Sequence, residues 1–220
     1  MPSPIFVENT ICSCSKTTTC QSCLFCEEHN TTAGRKALGE KIVTFLVWKP
    51  FYQKALKQAM GRLFPDRVVY DDEKDICTML FDALLFEDTS SGITPLAYFV
   101  DHAVLADVEK RLYEAWRQHT RYGFFVIEKL IAGKEIHVTD LTGRKRYRVY
   151  ETKGTATMKE GAVIVARIVP FLMGWMITTE TVLSWSGDTA RQQVQRNYGA
   201  ETSQFAFTEK YLAEHRRRMA

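Results

Sequence analysis

The stretch Gly161-Ala162-Val163-Ile164-Val165-Ala166-Arg167-Ile168-Val169-Pro170 sets the architecture of this chain. Its β-branched residues are stiff at the first side-chain torsion and fit a pleated surface. Gly161 and Pro170 punctuate its two ends, so Ala162 to Val169 reads as a strand. Upstream, the apolar period changes after Gly123. Phe124 to Ile131 and Glu135 to Leu141 read as strands, and Thr142-Gly143 as a turn. Arg146 to Glu151 alternates basic with aromatic or apolar residues. Downstream, Trp175 to Thr179, continuing toward Leu183, reads as the last strand. Five short strands with short turns imply a small antiparallel five-stranded β-barrel, OB-like or SH3-like. Closure removes exposed strand edges.

On the Arg146 strand, Arg146, Arg148 and Tyr150 share one face, and Tyr147 and Val149 the other. Arg144 and Lys145 precede it. A basic, aromatic barrel face can hold single-stranded nucleic acid through phosphate charge and base stacking. Arg144, Lys145, Arg146 and Arg148 are therefore candidate nucleic-acid-binding residues. An ordinary solvated outer face is the competing reading.

Before the barrel, the pattern is helical. Leu38, Ile42, Phe45 and Leu46 recur at helical spacing, and Pro50 marks a boundary or kink at Lys49. Phe51, Ala55, Leu56 and Met60 continue to a stop near Pro65. A helix from about Glu73 to Leu85 has Asp71 and Asp72 as caps, and Cys77 as a small hydrophobe on its stripe. Thr94-Pro95 supplies a cap and a first-turn proline for a short helix. The next helix runs from about Leu105 to His119, with Gly123 able to end it. His102 and His119 read as surface or packing residues. After Trp185 the chain is polar; Gln192 to Asn197 and Phe205 to Arg218 can be helical. Their basic end, Arg216-Arg217-Arg218, reads as a solvated, frayed tail.

The fold class is thus α+β in four parts. A zinc-knuckle-like cysteine module spans 1–32, a helical region 33–122, the barrel 123–185 and a basic helical tail 186–220. Hydrophobic residues make up 45% and charged residues 25%, which suits a folded core without disulfide staples. No run of about 18 apolar residues is present, and Met1 to Val7 lacks the marks of a signal peptide. The expected location is the cytoplasm, with no membrane insertion.

The formal net charge of +3 conceals segregation. Arg35 to Arg62 holds seven basic residues against Glu40 alone. Asp66 to Glu114 holds twelve acids and four bases, and Arg144 onward holds thirteen bases and seven acids. Such blocks can attract each other within the fold, or offer a basic surface to nucleic acid or ribosomal RNA.

Cys12, Cys14, Cys20, Cys23 and Cys26 lie within fifteen residues, and His29 follows. Without an export signal, metal ligation is favoured over disulfides. Thiolates and a neutral imidazole suit a closed tetrahedral zinc (Zn2+) site. The small polar residues between them form no core, so the metal would organise the loop. The expected ligands are Cys12, Cys14, Cys23 and Cys26, with Cys20 and His29 in reserve. Cys20-x-x-Cys23-x-x-Cys26 also fits an iron–sulfur cluster, without the usual downstream Cys-Pro.

Phe81-Asp82-Ala83-Leu84-Leu85-Phe86-Glu87-Asp88 and Gly92-Ile93-Thr94-Pro95-Leu96 resemble segments of bacterial proteins that carry a SEC-C motif. So do Trp116 with Gly123-Phe124-Phe125-Val126, Asp140-Leu141-Thr142-Gly143, and Lys159-Glu160-Gly161 with the run to Pro170. The resemblance spans roughly residues 70 to 180. The SEC-C zinc motif has Cys-x-Cys, eight residues, then Cys followed by Cys or His. Cys12-x-Cys14 and Cys23 keep that spacing; Leu24 stands at the fourth ligand, which Cys26 could replace, and the glycine-containing turn is absent. The resemblance implies docking to a protein or ribosomal partner.

The functional expectation is a non-enzymatic zinc-binding adaptor for a protein, ribosome/RNA or nucleic-acid partner. An iron–sulfur or thiol redox protein is the alternative. A hydrolase would need a divalent metal on Asp71, Asp72, Asp75, Glu87 and Asp88, which helix capping also explains.

Overall fold

Nine consecutive buried residues, Val163–Phe171, form the strand around which the protein is arranged. The fold is that of a computed structural model, which describes residues 5–6, 31–65, 73–142, 144–179, 182–187, 189–199, 201 and 203–219. In chain order the elements are β1 (Ile5–Phe6), α1 (Thr32–Leu46), α2 (Pro50–Leu63), α3 (Lys74–Glu87), α4 (Pro95–His102) and α5 (Asp107–His119). Then come β2 (Arg121–Ile131), β3 (Glu135–Asp140), β4 (Lys145–Tyr150), a 3-10 turn (Gly154–Ala156), β5 (Val163–Phe171), β6 (Gly174–Ile177), β7 (Leu183–Trp185), α6 (Ala190–Tyr198) and α7 (Gln204–Met219). The architecture is α+β, with helices packed on a closed five-stranded barrel.

The barrel follows the order β4-β3-β2-β5-β6 and closes where β6 pairs parallel with β4, Val149 opposite Trp175. β2 is long enough to pair with both β3 and β5, and its register shifts between Ile127 and Lys129. Such a shift bends a strand around a barrel. Gly174 stands at the closing seam. A Cβ there would lie 2.8 Å from the Arg148 carbonyl oxygen, so only glycine lets the two strands approach. The four-residue β6 closes the barrel but is shorter than β4 and β5. β1 pairs with β4 at Lys145 and Arg146, and β7 pairs with β5 at Val163 to Val165, covering edges that β6 does not reach.

Both faces of β5 are buried, for different reasons. Ile164, Ala166 and Ile168 fill the barrel with Phe125, Ile127, Tyr147, Val149 and Trp175. Val163 and Val165 pack under α6 and α7 with Phe124, Val194, Tyr198 and Phe207. Val169 and Phe171 enter the helical core with Leu38, Leu80, Phe99, Tyr113 and Trp116. The Trp116 indole N–H donates to the Pro170 carbonyl at 2.8 Å, fixing α5 to the strand.

Several sequence expectations are met: the break at Pro50, the helix starting at Pro95, and the Tyr147/Val149 core face. The Thr94 hydroxyl accepts from the Ala97 N–H, the expected cap. Others need correction. Gly123 does not end α5, which stops at His119; it sits inside β2 opposite Ala166, because pairing with β5 extends the strand to Arg121. The last strand is two strands, since β6 and β7 pair with different parts of β5. The C-terminal segment is not a solvated tail. Phe207 and Thr208 are fully buried and Arg216 binds the buried Glu73. The apolar face of α7 had a partner, α3, that its own polar composition does not announce.

Replacing Trp116 with Phe removes one buried donor and orphans the Pro170 carbonyl. We expect a loss of about 1–3 kcal/mol in urea unfolding with the fold retained.

Candidate functional site

β3 and β4 turn alternate residues outward, and the register sets His137 beside Arg148, Thr139 beside Arg146 and Glu135 beside Tyr150. This is the face that carries the basic strand. Arg144 and Lys145 are exposed at its start. Arg146 donates through Nη2 to Glu128 at 2.7 Å. Arg148 donates through Nη2 to the Tyr150 hydroxyl and to the Met173 carbonyl, each at 3.1 Å, and lies 3.8 Å from Glu135. Glu135 also contacts His137 at 2.9 Å. The face is therefore mixed in charge: two guanidiniums, each beside a glutamate.

The pairing is incomplete. The Nε of Arg146, the Nε of Arg148 and the hydroxyl of Thr139 are buried with no hydrogen-bond partner among the described residues. Orphaned buried donors are costly to the fold. Guanidiniums match carboxylate and phosphate oxygens bidentately. The four basic residues singled out from sequence are thus brought together, but Arg146 and Arg148 are partly neutralised.

A concavity of about 680 Å3 lies between α2, the end of α3 and the start of α7. Ala55, Ala59 and Ala83 line it, with Glu87, Asp88 and Ser203 at its polar side. Glu87 is not available for chemistry there. Its carboxylate accepts from Arg167, from the Ser203 hydroxyl and from the backbone N–H groups of Gln204 and Phe205, so it caps α7. Asp88 accepts from the N–H and hydroxyl of Ser90, a local turn. These contacts remove the motive for a divalent metal on Glu87 and Asp88. Asp71 and Asp72 lie outside the described residues.

Arg167, which the sequence reading left unremarked, is the centre of a buried ion cluster. It is 3% exposed and donates through Nε to Asp82 at 2.9 Å and to Gln204 at 3.0 Å. The rings of Phe86 and Tyr122 flank its guanidinium. Complete burial pushes the Asp82 carboxyl up, and Arg167 with its hydrogen bonds opposes that rise. A signal for the cluster existed: Arg167 and Asp82 are lone opposite charges inside two otherwise apolar runs.

Cys12, Cys14, Cys20, Cys23, Cys26 and His29 all lie outside the described residues. Among the described residues no three His, Cys, Asp or Glu side chains converge as a metal set. Cys77 is half-buried against the helical core, and burial pushes its thiol up, away from the thiolate. His102 stacks on Tyr98, and its ring Nδ1 lies 2.9 Å from the Tyr98 carbonyl, a packing role. No helix among the described residues is long and apolar enough to cross a membrane.

The model of a family of unknown function (DUF7986) matches residues 31–204. The match starts after the cysteine cluster and takes in every helix and strand from α1 to α6. No curated protein and no solved structure matches the chain.

Replacing Arg167 with Leu leaves the buried Asp82 and the partly buried Glu87 without their cation, and we expect a loss of about 3–5 kcal/mol. The loss shrinks on acidification. Removing the cation raises the folded-state pKa of Asp82 further above its unfolded value. A raised carboxylate gives stability that is present at low pH and lost as pH rises through the folded pKa. Urea midpoints at about pH 7 and pH 5 should therefore converge toward wild type at the lower pH.

Proposed function

The chain belongs to the family of unknown function DUF7986, and we propose that it is a non-enzymatic adaptor with a zinc module beside a nucleic-acid-binding barrel face. The observation that carries this reading is the cluster of five cysteines and His29 between Cys12 and His29. Four thiolates at Cys12, Cys14, Cys23 and Cys26 form a closed structural donor set, leaving no open position for catalysis. Cys20 and His29 stand in reserve. The spacing keeps the SEC-C-like reading of a docking module for a protein or ribosomal partner.

The ends of the cysteine segment support a link to the barrel. Phe6 pairs with Arg146 at the start of β4, and the Thr32 hydroxyl bonds to that of Thr152 just past its end at 2.6 Å. Phe6 and Thr32, described residues on either side of 7–30, thus sit at the two ends of the basic strand. The strand order favours the OB-like over the SH3-like reading: a three-strand meander, then two strands closing with a parallel seam. In OB-folds the second and third barrel strands bind single strands, and here these are β3 and β4. Arg144, Lys145, Arg146 and Arg148 are the residues we assign to phosphate, with Glu128 and Glu135 holding the arginines until the ligand displaces them.

Elemental analysis should find one zinc per chain, lost in a Cys23→Ser/Cys26→Ser variant. Iron and sulfide with absorbance near roughly 400 nm would instead establish the iron–sulfur alternative suggested by Cys20-x-x-Cys23-x-x-Cys26. A strong chelator should remove the metal and partner binding while far-UV circular dichroism of the helices and barrel persists. Binding of a single-stranded oligonucleotide should weaken with salt, and Arg144→Ala/Lys145→Ala should lower the slope of log K against log salt by about 1–2. Unchanged binding in that variant would remove nucleic acid from the proposal.

A further inference from the structure

We infer that the corner between α1 and α2 is a peripheral docking site for an anionic lipid surface. Trp48 is 80% exposed there, and Val43 and Val47, one helical turn apart, are 48% and 38% exposed. A tryptophan and two valines in the open suit an occupant with an apolar layer beneath polar groups. The corner is held in place. The Lys49 N–H donates to the Leu46 carbonyl at 2.8 Å, and the Gln53 side chain donates to the Val47 carbonyl at 3.0 Å. Phe45, Phe51 and Tyr98 pack beneath it, with the Lys49 ammonium 4.6 Å from the Phe45 ring centre. Trp48 is thus presented by a fixed turn.

The segment that carries it is predominantly basic. Between Thr31 and Pro65 there are seven basic residues and Glu40 alone, and Glu40 lies 3.7 Å from Lys36. Lys41 is taken by Glu109, and Arg62 by Glu209. Lys54 and Lys57 are exposed on the outer face of α2, with no ion pair among the described residues. They lie four and seven residues into α2 from Pro50, about 6 and 10 Å along its axis at about 1.5 Å rise per residue. Apolar side chains that enter the headgroup boundary, beside unpaired lysines that meet anionic headgroups, are the elements of interfacial binding. Base recognition would use aromatic faces and arginine, and the two valines would add little to it. The acidic partner is therefore a membrane surface rather than a nucleic acid. Contact at this corner needs no spanning helix.

The test is co-sedimentation of the full-length, metal-containing protein with phosphatidylcholine vesicles, with and without about one third phosphatidylserine. Trp48, 80% exposed, reports insertion: Trp116 and Trp175 are 2% and 3% exposed and already dry, and the emission of the half-buried Trp185 is the signal that remains in Trp48→Ala. We expect partitioning that needs phosphatidylserine, falls with salt and shifts the emission to the blue. Trp48→Ala should abolish the shift, and Lys54→Ala and Lys57→Ala should each weaken partitioning about fivefold. These side chains are exposed, so unchanged melting curves are expected; should Trp48→Ala melt early, the two lysine variants still decide. Equal partitioning onto both vesicles, or none, overturns the inference. So does a concentration-dependent mass doubling that Trp48→Ala removes, which would make the corner a contact between copies. Tighter binding of single-stranded RNA through the same lysines also overturns it.

Discussion

Arg167 sits on the outward face of the most buried strand, where any other side chain of its position would be aliphatic. A guanidinium cannot be left there alone, because burying an unpaired charge costs several kcal/mol. Its requirement organises the elements above the barrel. α3 supplies Asp82 and Glu87, α7 supplies Gln204, and β2 supplies the ring of Tyr122. Glu87 then uses its remaining acceptor capacity on the first N–H groups of α7. At the other end of the same helix pair, Glu73, 1% exposed, takes Arg216 through two contacts. α3 and α7 are thereby clamped at both ends, one of them directly on β5. Apolar replacements could pack the same space, but they would not fix which helix lies where along the strand.

Barrel closure imposes the second constraint. β6 spans only Gly174–Ile177, too short to cover the edges of both neighbours. β7 completes the edge of β5 and so draws Trp185 into the aromatic cluster with Phe124, Tyr198 and Phe207. β1 completes the edge of β4 and brings the chain that leads to the cysteines against Lys145 and Arg146. The same geometric shortfall therefore ties the last helices to the barrel and ties the N-terminal segment to its basic strand.

The two basic surfaces differ physically. On β4 the arginines face Glu128 and Glu135, so a ligand must compete with resident carboxylates. On α2 the lysines meet no carboxylate among the described residues and lie beside exposed apolar groups. The basic block around α1 and α2 and the acidic block that follows attract only in part: Lys41 reaches Glu109 in α5, while Arg62 reaches Glu209 in α7.

What the sequence determined by itself was local. The period change at the helix–barrel boundary, the proline at position 50, the Thr94 cap, and the alternation placing Tyr147 and Val149 inward are all set by neighbours a few residues away. The density of cysteines is equally local. Tertiary structure alone decided the rest. The two helices after Trp185 were legible in the sequence, but their packing was not: α3 and β5 offered an apolar face and buried acids, which no window of that segment contains. Gly123 joined a strand because β5 was there to pair with it. Arg146 and Arg148, legible as basic, proved half-neutralised because register across β2, β3 and β4 set carboxylates beside them. Arg167 was visible as a letter, but its partners lie 85, 80 and 37 residues away, and only the fold brings them within hydrogen-bond reach.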